Sequence, residues 1–163
     1  MPATNAPAIR LGRTLRGGIA PSIYALVERG VLIRPEQAAV VHGRVQLRFR
    51  NLHPPVAMVF ESGQIEVFDG EVERANLTVT AGLADVVLLT TAPLSMGLPS
   101  PVNARGRAVL QKMAKGEIRL RGDLTLARGM LELMRIDVPE ARFAKPPKPD
   151  PATDPAAWID VLT

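Results

Sequence analysis

Few side chains in this sequence are equipped for bond-making chemistry. There are no cysteines, which excludes zinc ribbons, iron–sulfur clusters, thiolate nucleophiles and disulfides. His42 and His53 are the two histidines, and neither has a partner at a recognisable metal-ligand or catalytic spacing. His53 precedes Pro54 and reads as a loop residue. Glu61, Glu66, Asp69, Glu71 and Glu73 cluster around a hairpin and its exit. A carboxylate pair there would suit acid–base work, but a solvated acidic face is the simpler reading. No G-x-S-x-G is present. Gly12-Arg13 and Gly17-Gly18 lack both the preceding strand and the Lys-Ser/Thr of a phosphate loop. This inventory points away from an independent enzyme, a metal or a cofactor.

What the chain does carry is apolar surface. Hydrophobic residues make up 47% of 163 residues and charged residues 22%, enough for the core of one domain. Four of the methionines, Met58, Met113, Met130 and Met134, fall on expected strands or helices. Methionine is flexible and polarizable and suits a wall that must adapt. The same residues would serve equally as ordinary core.

The net charge of +4 is unevenly spread. Residues 1–50 hold 8 basic and 2 acidic side chains, residues 51–100 hold 1 and 6, and residues 101–138 hold 8 and 4. Two basic segments thus flank an acidic middle, unlike the single-signed stripe of a dedicated nucleic-acid binder. Aromatics are only 4%, too few for stacking platforms. Arg10, Arg13 and Arg16 interrupt any signal-peptide core. On a helical turn they would form a basic face able to touch anionic lipid headgroups. The uncharged run Val86–Ala104 is broken by Pro93, Pro99 and Pro101 and is not a membrane span. The expected location is cytoplasmic.

The elements that position these residues follow from periodicity. Residues 9–29 read as one or two helical pieces broken near Gly17, Gly18 and Pro21, with Ile23, Leu26 and Val27 apolar and Gly30 as C-cap. Residues 35–40 give a further turn opened by Pro35. Val45, Leu47 and Phe49 alternate with Arg44, Gln46, Arg48 and Arg50, the period of a strand. Strands over 56–61, 65–69 and 75–80 follow, the first two joined by a hairpin at Ser62-Gly63. Together, 41–80 read as an antiparallel meander. Helices are expected over 81–91 and 103–115, a strand over 117–121, and a last helix from Leu124 with Asp123 as N-cap. The outward arginines Arg44, Arg48, Arg50, Arg119 and Arg121 make one basic sheet face if their strands are neighbours. After Val138 the chain is proline-rich and reads as a tail. Strands grouped before helices indicate an α+β fold: a five-stranded, largely antiparallel sheet covered on one face by helices.

The stretch 116–131, GEIRLRGDLTLARGML, resembles the end of the sterol carrier protein 2 (SCP2) domain. That family closes with a glycine, an alternating strand, a Gly-Asp or Gly-Asn pair and a helix. Here those positions are Gly116, Ile118, Leu120, Gly122, Asp123, Leu126, Ala127 and Leu131. The Met58–Val67 hairpin and the ANLTVTA segment leading into a helix are similar to the family as well. The resemblance covers roughly 40–138, leaving 1–39 as an N-terminal helical segment and 139–163 as the tail. The long basic N-terminus, and arginine outnumbering lysine 16 to 4, are similar to bacterial stand-alone relatives, including accessory proteins of quinone biosynthesis.

The resemblance implies a non-enzymatic carrier. A sterol, fatty acyl or isoprenoid lipid would lie in a tunnel between sheet and helices and be transferred within the cell. Each buried methylene is worth about 0.8 kcal/mol, so a long chain binds without polar recognition. The implied lining is Met58, Phe60, Val67, Leu77, Val79, Val87, Leu110, Met113, Ile118, Leu120, Leu126, Met130 and Met134. Arg10, Arg13 and Arg16 would give transient contact with a membrane surface. The alternative is an SCP2-like accessory or scaffold module of an enzyme complex that makes a lipid or quinone or degrades sterols, with a protein partner in that pathway.

Overall fold

The computed structural model describes residues 6–50, 53–95 and 98–136. The expected tail, 139–163, lies outside the described residues. The chain opens with β1 (Ala8–Leu11), α1 (Ala20–Ile33) and α2 (Pro35–Val40). The strands β2 (Gly43–Phe49), β3 (Val56–Glu61) and β4 (Gln64–Asp69) follow. Then come β5 (Leu77–Ala81), α3 (Leu83–Thr91), the short strands β6 (Leu94–Ser95) and β7 (Leu98–Pro99), and α4 (Ala104–Ala114). Last are β8 (Arg119–Gly122) and α5 (Leu124–Met134).

The architecture is α+β, and the main sheet has six strands in the order β1-β4-β3-β2-β5-β8. It is one strand larger than the sequence suggests. β2, β3 and β4 form the expected antiparallel meander. β5 does not continue it but crosses back to pair parallel with β2. The buried amide of Gln46 holds the crossing connection in place. Its Nε2 donates to the carbonyls of Val56 (3.2 Å) and Gly70 (3.0 Å), and its Oε1 accepts the Val72 amide (2.7 Å). That one side chain ties the β4–β5 connection, through the Gly70 carbonyl and the Val72 amide, to the Val56 carbonyl of β3.

The N-terminal helical reading is corrected over residues 8–19. Ala8–Leu11 is an edge strand parallel to β4, and no helix follows until Ala20. The free edge of β4 offers ladder partners, while Gly12, Gly17 and Gly18 disfavour a helix. Gly17 turns with φ +76°. Arg10, Arg13 and Arg16 therefore share no helical face, and Arg10 Nη2 lies 2.6 Å from Glu66 Oε2. Pro21 does not break the helix but sits in its first turn, where no amide hydrogen is needed. Gly30 is not a C-cap either; it is buried inside α1. A Cβ there would lie 2.1 Å from the Leu133 carbonyl oxygen, so the residue must be glycine for α1 and α5 to touch.

The lead-in to α1 is fixed by a fully buried carboxylate at the end of β4. Asp69 Oδ2 accepts the Leu15 amide (2.8 Å) and Oδ1 accepts the Ala20 amide (3.1 Å). Its own amide donates to the Arg13 carbonyl (2.7 Å). Asp69 thereby supplies, from another element, the cap that Ile19 cannot give. A Cβ on Gly18 would overlap this carboxylate at 2.1 Å.

The opposite face of the sheet is polar. Arg44 Nε lies 2.7 Å from Glu61 Oε1, and Arg48 Nη2 lies 2.9 Å from Glu71 Oε1. Asp123 caps α5 by accepting the amides of Thr125 (2.9 Å) and Leu126 (3.2 Å), as its position after Gly122 suggests. Between α3 and α4, Lys112 Nζ lies 2.8 Å from Asp85 Oδ1. The hydrogen bond from Lys112, aided by the Gly82 amide, holds Asp85 below the ordinary carboxylate range despite its partial burial.

Asp69→Ala leaves the buried Ala20 amide and the part-buried Leu15 amide without an acceptor. It is expected to cost about 3 kcal/mol in urea unfolding followed by circular dichroism; a change below about 0.5 kcal/mol would contradict the capping role. Because Asp85 titrates lower in the folded state, its contribution is present above about pH 3.9 and is lost as pH falls through the folded value. The stability gap between the wild type and Lys112→Met should therefore narrow on acidification below about pH 4. A gap independent of pH would mean that the pair is not coupled.

Candidate ligand-binding interior

Alternation along the strands sends one set of side chains to the helical side of the sheet. The register puts Val67, Met58, Val45 and Leu77 side by side across β4, β3, β2 and β5. A second row joins Val56, Leu47, Val79 and Leu120, and Ile65 pairs with Phe60. Over this face lie Ile23, Val27 and Val31 of α1, spaced one helical turn apart. Beside them lie Leu126, Ala127, Met130, Leu131, Leu133 and Met134 of α5. All belong to one apolar cluster.

Most residues expected to line a ligand site fall in this cluster. Met58, Phe60, Val67, Leu77, Val79, Ile118, Leu126, Met130 and Met134 are buried there. Met113 and Leu120 are half-buried against it. Two are placed elsewhere: Val87 is 57% exposed on α3 and Leu110 is 37% exposed on α4. A helix turns 100° per residue, and the buried faces of these helices run through Val86 and Leu89, and through Val109. α1 adds Ile23, Val27 and Val31 to this wall, residues absent from the lining expected from the sequence, although their i, i+4, i+8 spacing is that of an inward stripe.

A cleft of about 590 Å³ opens to the surface between α2 and α5. Val40, Val41, His42, Leu126, Arg128 and Gly129 line it together with polar neighbours. Leu126 belongs both to this cleft and to the buried cluster, so it marks where the two approach. Two glycines allow close packing there. A Cβ on Gly43 would lie 2.7 Å from Leu126 Cδ2, and one on Gly129 would lie 3.1 Å from Val41 Cγ2. His53 sits apart, its ring edge-on to Phe49 and its Nδ1 3.1 Å from the Gly17 carbonyl oxygen. Among the described residues, no three metal-ligating side chains converge, and no helix is long and apolar enough to cross a membrane.

No protein-family description and no curated protein matches the sequence. Solved structures do match. The sterol carrier protein domain 2 of Helicoverpa armigera is 18% identical with a TM-score of 0.52, covering 74% of this chain and 92% of its own. The ubiquinone synthesis protein UbiJ-SCP2 is 13% identical with a TM-score of 0.51, covering 71% of this chain and 92% of its own. Both align over most of their length with the strand and helix order described above, and this chain therefore has the sterol carrier protein 2 fold.

Proposed function

We propose that the chain binds an apolar ligand, a sterol, fatty acyl or isoprenoid lipid, between the sheet and the α1–α5 layer. The observation that carries this reading is the gathering of Met58, Met130 and Met134 into one apolar cluster whose boundary residue, Leu126, also lines an open cleft. Unbranched thioether side chains can change rotamer to make room at little cost. A ligand would then gain about 0.8 kcal/mol for each methylene withdrawn from water. In this reading the protein is a cytoplasmic carrier with no catalytic group, and transfer consists of partitioning into and out of the interior.

A second reading is an accessory module of a lipid or quinone pathway. The fold likeness to a ubiquinone synthesis protein favours it. So do the exposed aliphatic side chains Leu32, Ile33 and Val40 around the α1–α2 corner, which suit a protein partner.

Mass spectrometry of an organic extract of the purified protein should find co-purified lipid, and a dansyl-labelled fatty acid should bind saturably. Met130→Trp, which takes up room within the apolar cluster, should weaken that binding about tenfold in protein that circular dichroism shows to be folded. Val87→Trp on the exposed side of α3 should leave it unchanged. No extracted lipid together with no saturable probe binding would overturn the carrier reading. Capture of a defined enzyme complex in the same preparation would then favour the accessory one.

A further inference from the structure

The polar face of the sheet is electrically divided. On the β1, β4 and β3 side each outward arginine meets an acid: Arg10 meets Glu66, and Arg44 meets Glu61. Arg48 on β2 reaches Glu71 of the β4–β5 connection. Farther across, the register sets Arg48, Thr80 and Arg119 in one row and Gln46, Thr78 and Arg121 in the next. Among the described residues, neither Arg119 nor Arg121 has a carboxylate within ion-pair distance. Arg119 Nε and Arg50 Nη2 both donate to the Gly116 carbonyl, which holds two guanidiniums at the head of β8; Arg50 there also acts on the charge of Asp85, while Arg119 has no acid of its own among the described residues.

β8 is also the edge of the sheet. Among the described residues it pairs with β5 alone, and Arg119, Arg121 and Gly122 are exposed. Alternate backbone N–H and C=O groups of such a strand point away from the sheet and can accept another strand. Arg119 and Arg121 stand on one face about 7 Å apart, which is the spacing of alternate residues on an added strand. A second copy of β8 would set arginine against arginine, which is unfavourable. A bilayer finds little to anchor it, because no large exposed apolar side chain lies on β2, β5 or β8 and Leu124, just past β8, stands alone there.

We propose that the β8 edge binds an extended acidic segment of a partner protein by strand addition. Backbone pairing supplies the affinity, and carboxylates at alternate positions meet Arg119 and Arg121 to set the register and exclude neutral strands. This surface lies on the face opposite the apolar interior and stands whether or not a lipid binds there.

The test uses the full chain and a fluorescein-labelled eight-residue peptide of alternating Glu and Val, with a Gln-Val control. Fluorescence anisotropy should show saturable binding of the Glu peptide, at least about tenfold weaker for the Gln peptide and for Arg119→Glu/Arg121→Glu. Circular dichroism checks that the variant folds. Independently of any variant, amide shifts in the wild-type NMR spectrum should change at Arg119–Gly122 and Thr78–Thr80. Equal binding of both peptides, no saturable binding up to about 1 mM, or shifts confined to other elements would overturn the proposal. Binding to phosphatidylglycerol vesicles but not to the peptide would overturn it too.

Discussion

The covering layer of this fold depends on one carboxylate placed where a helix begins. α1 starts without a side-chain cap of its own, and its lead-in passes through glycines that favour no particular path. Asp69, at the end of β4, gives that lead-in a fixed end point by accepting the Leu15 and Ala20 amides in a site closed to water. The cost of burying so polar a group is offset because donors converge on it. Once the start of α1 is set against the sheet, its stripe of Ile23, Val27 and Val31 has one place to go. The far half of the helix then reaches α5.

Gln46 plays the matching part on the other face. Its amide satisfies two backbone groups of the connection that carries the chain from β4 to β5, the Gly70 carbonyl and the Val72 amide, and ties them to the Val56 carbonyl of β3. Without it, the parallel pairing of β5 with β2 would leave that connection without partners over the middle of the sheet. The two buried polar residues thus divide the labour. Asp69 places the layer that closes the apolar interior, and Gln46 places the strand that carries Leu77 and Val79 into it. The apolar surface supplies most of the stabilisation, and these two residues select which arrangement of it is formed.

Much of this was legible in the sequence because local period decides local structure. The alternation of Val45 and Leu47 with Arg44 and Arg48 marks β2, the Ser62-Gly63 pair marks the hairpin, and Gly122-Asp123 marks the start of α5. What escaped was non-local. Ala8–Leu11 is a strand only because β4 has a free edge, which no local pattern announces. The role of Gly30 depends on a carbonyl from residue 133, and that of Asp69 on amides some fifty positions upstream. Asp69 read as one more acid in a solvated cluster because its partners lie outside any sequence window. For the candidate site, the strand residues Met58, Phe60, Val67, Leu77 and Val79 were placed by alternation. Val87 and Leu110 were misplaced because a short helix with apolar residues on several sides leaves its inward direction to tertiary packing.

The backbone contact at Gly30 limits how the covering layer can yield. With no side chain on Gly30, α1 meets the Leu133 carbonyl and its neighbouring Cδ1 on hard, poorly compressible surfaces, and sliding one helix past the other would drive that oxygen into the Gly30 carbon. They behave there as a riveted joint. Slack must come from the parts beyond the rivet, namely the amino-terminal turns of α5 near Leu126 and the bendable thioethers. Any rearrangement of the covering layer would therefore pivot about Gly30 and not lift the layer as one piece.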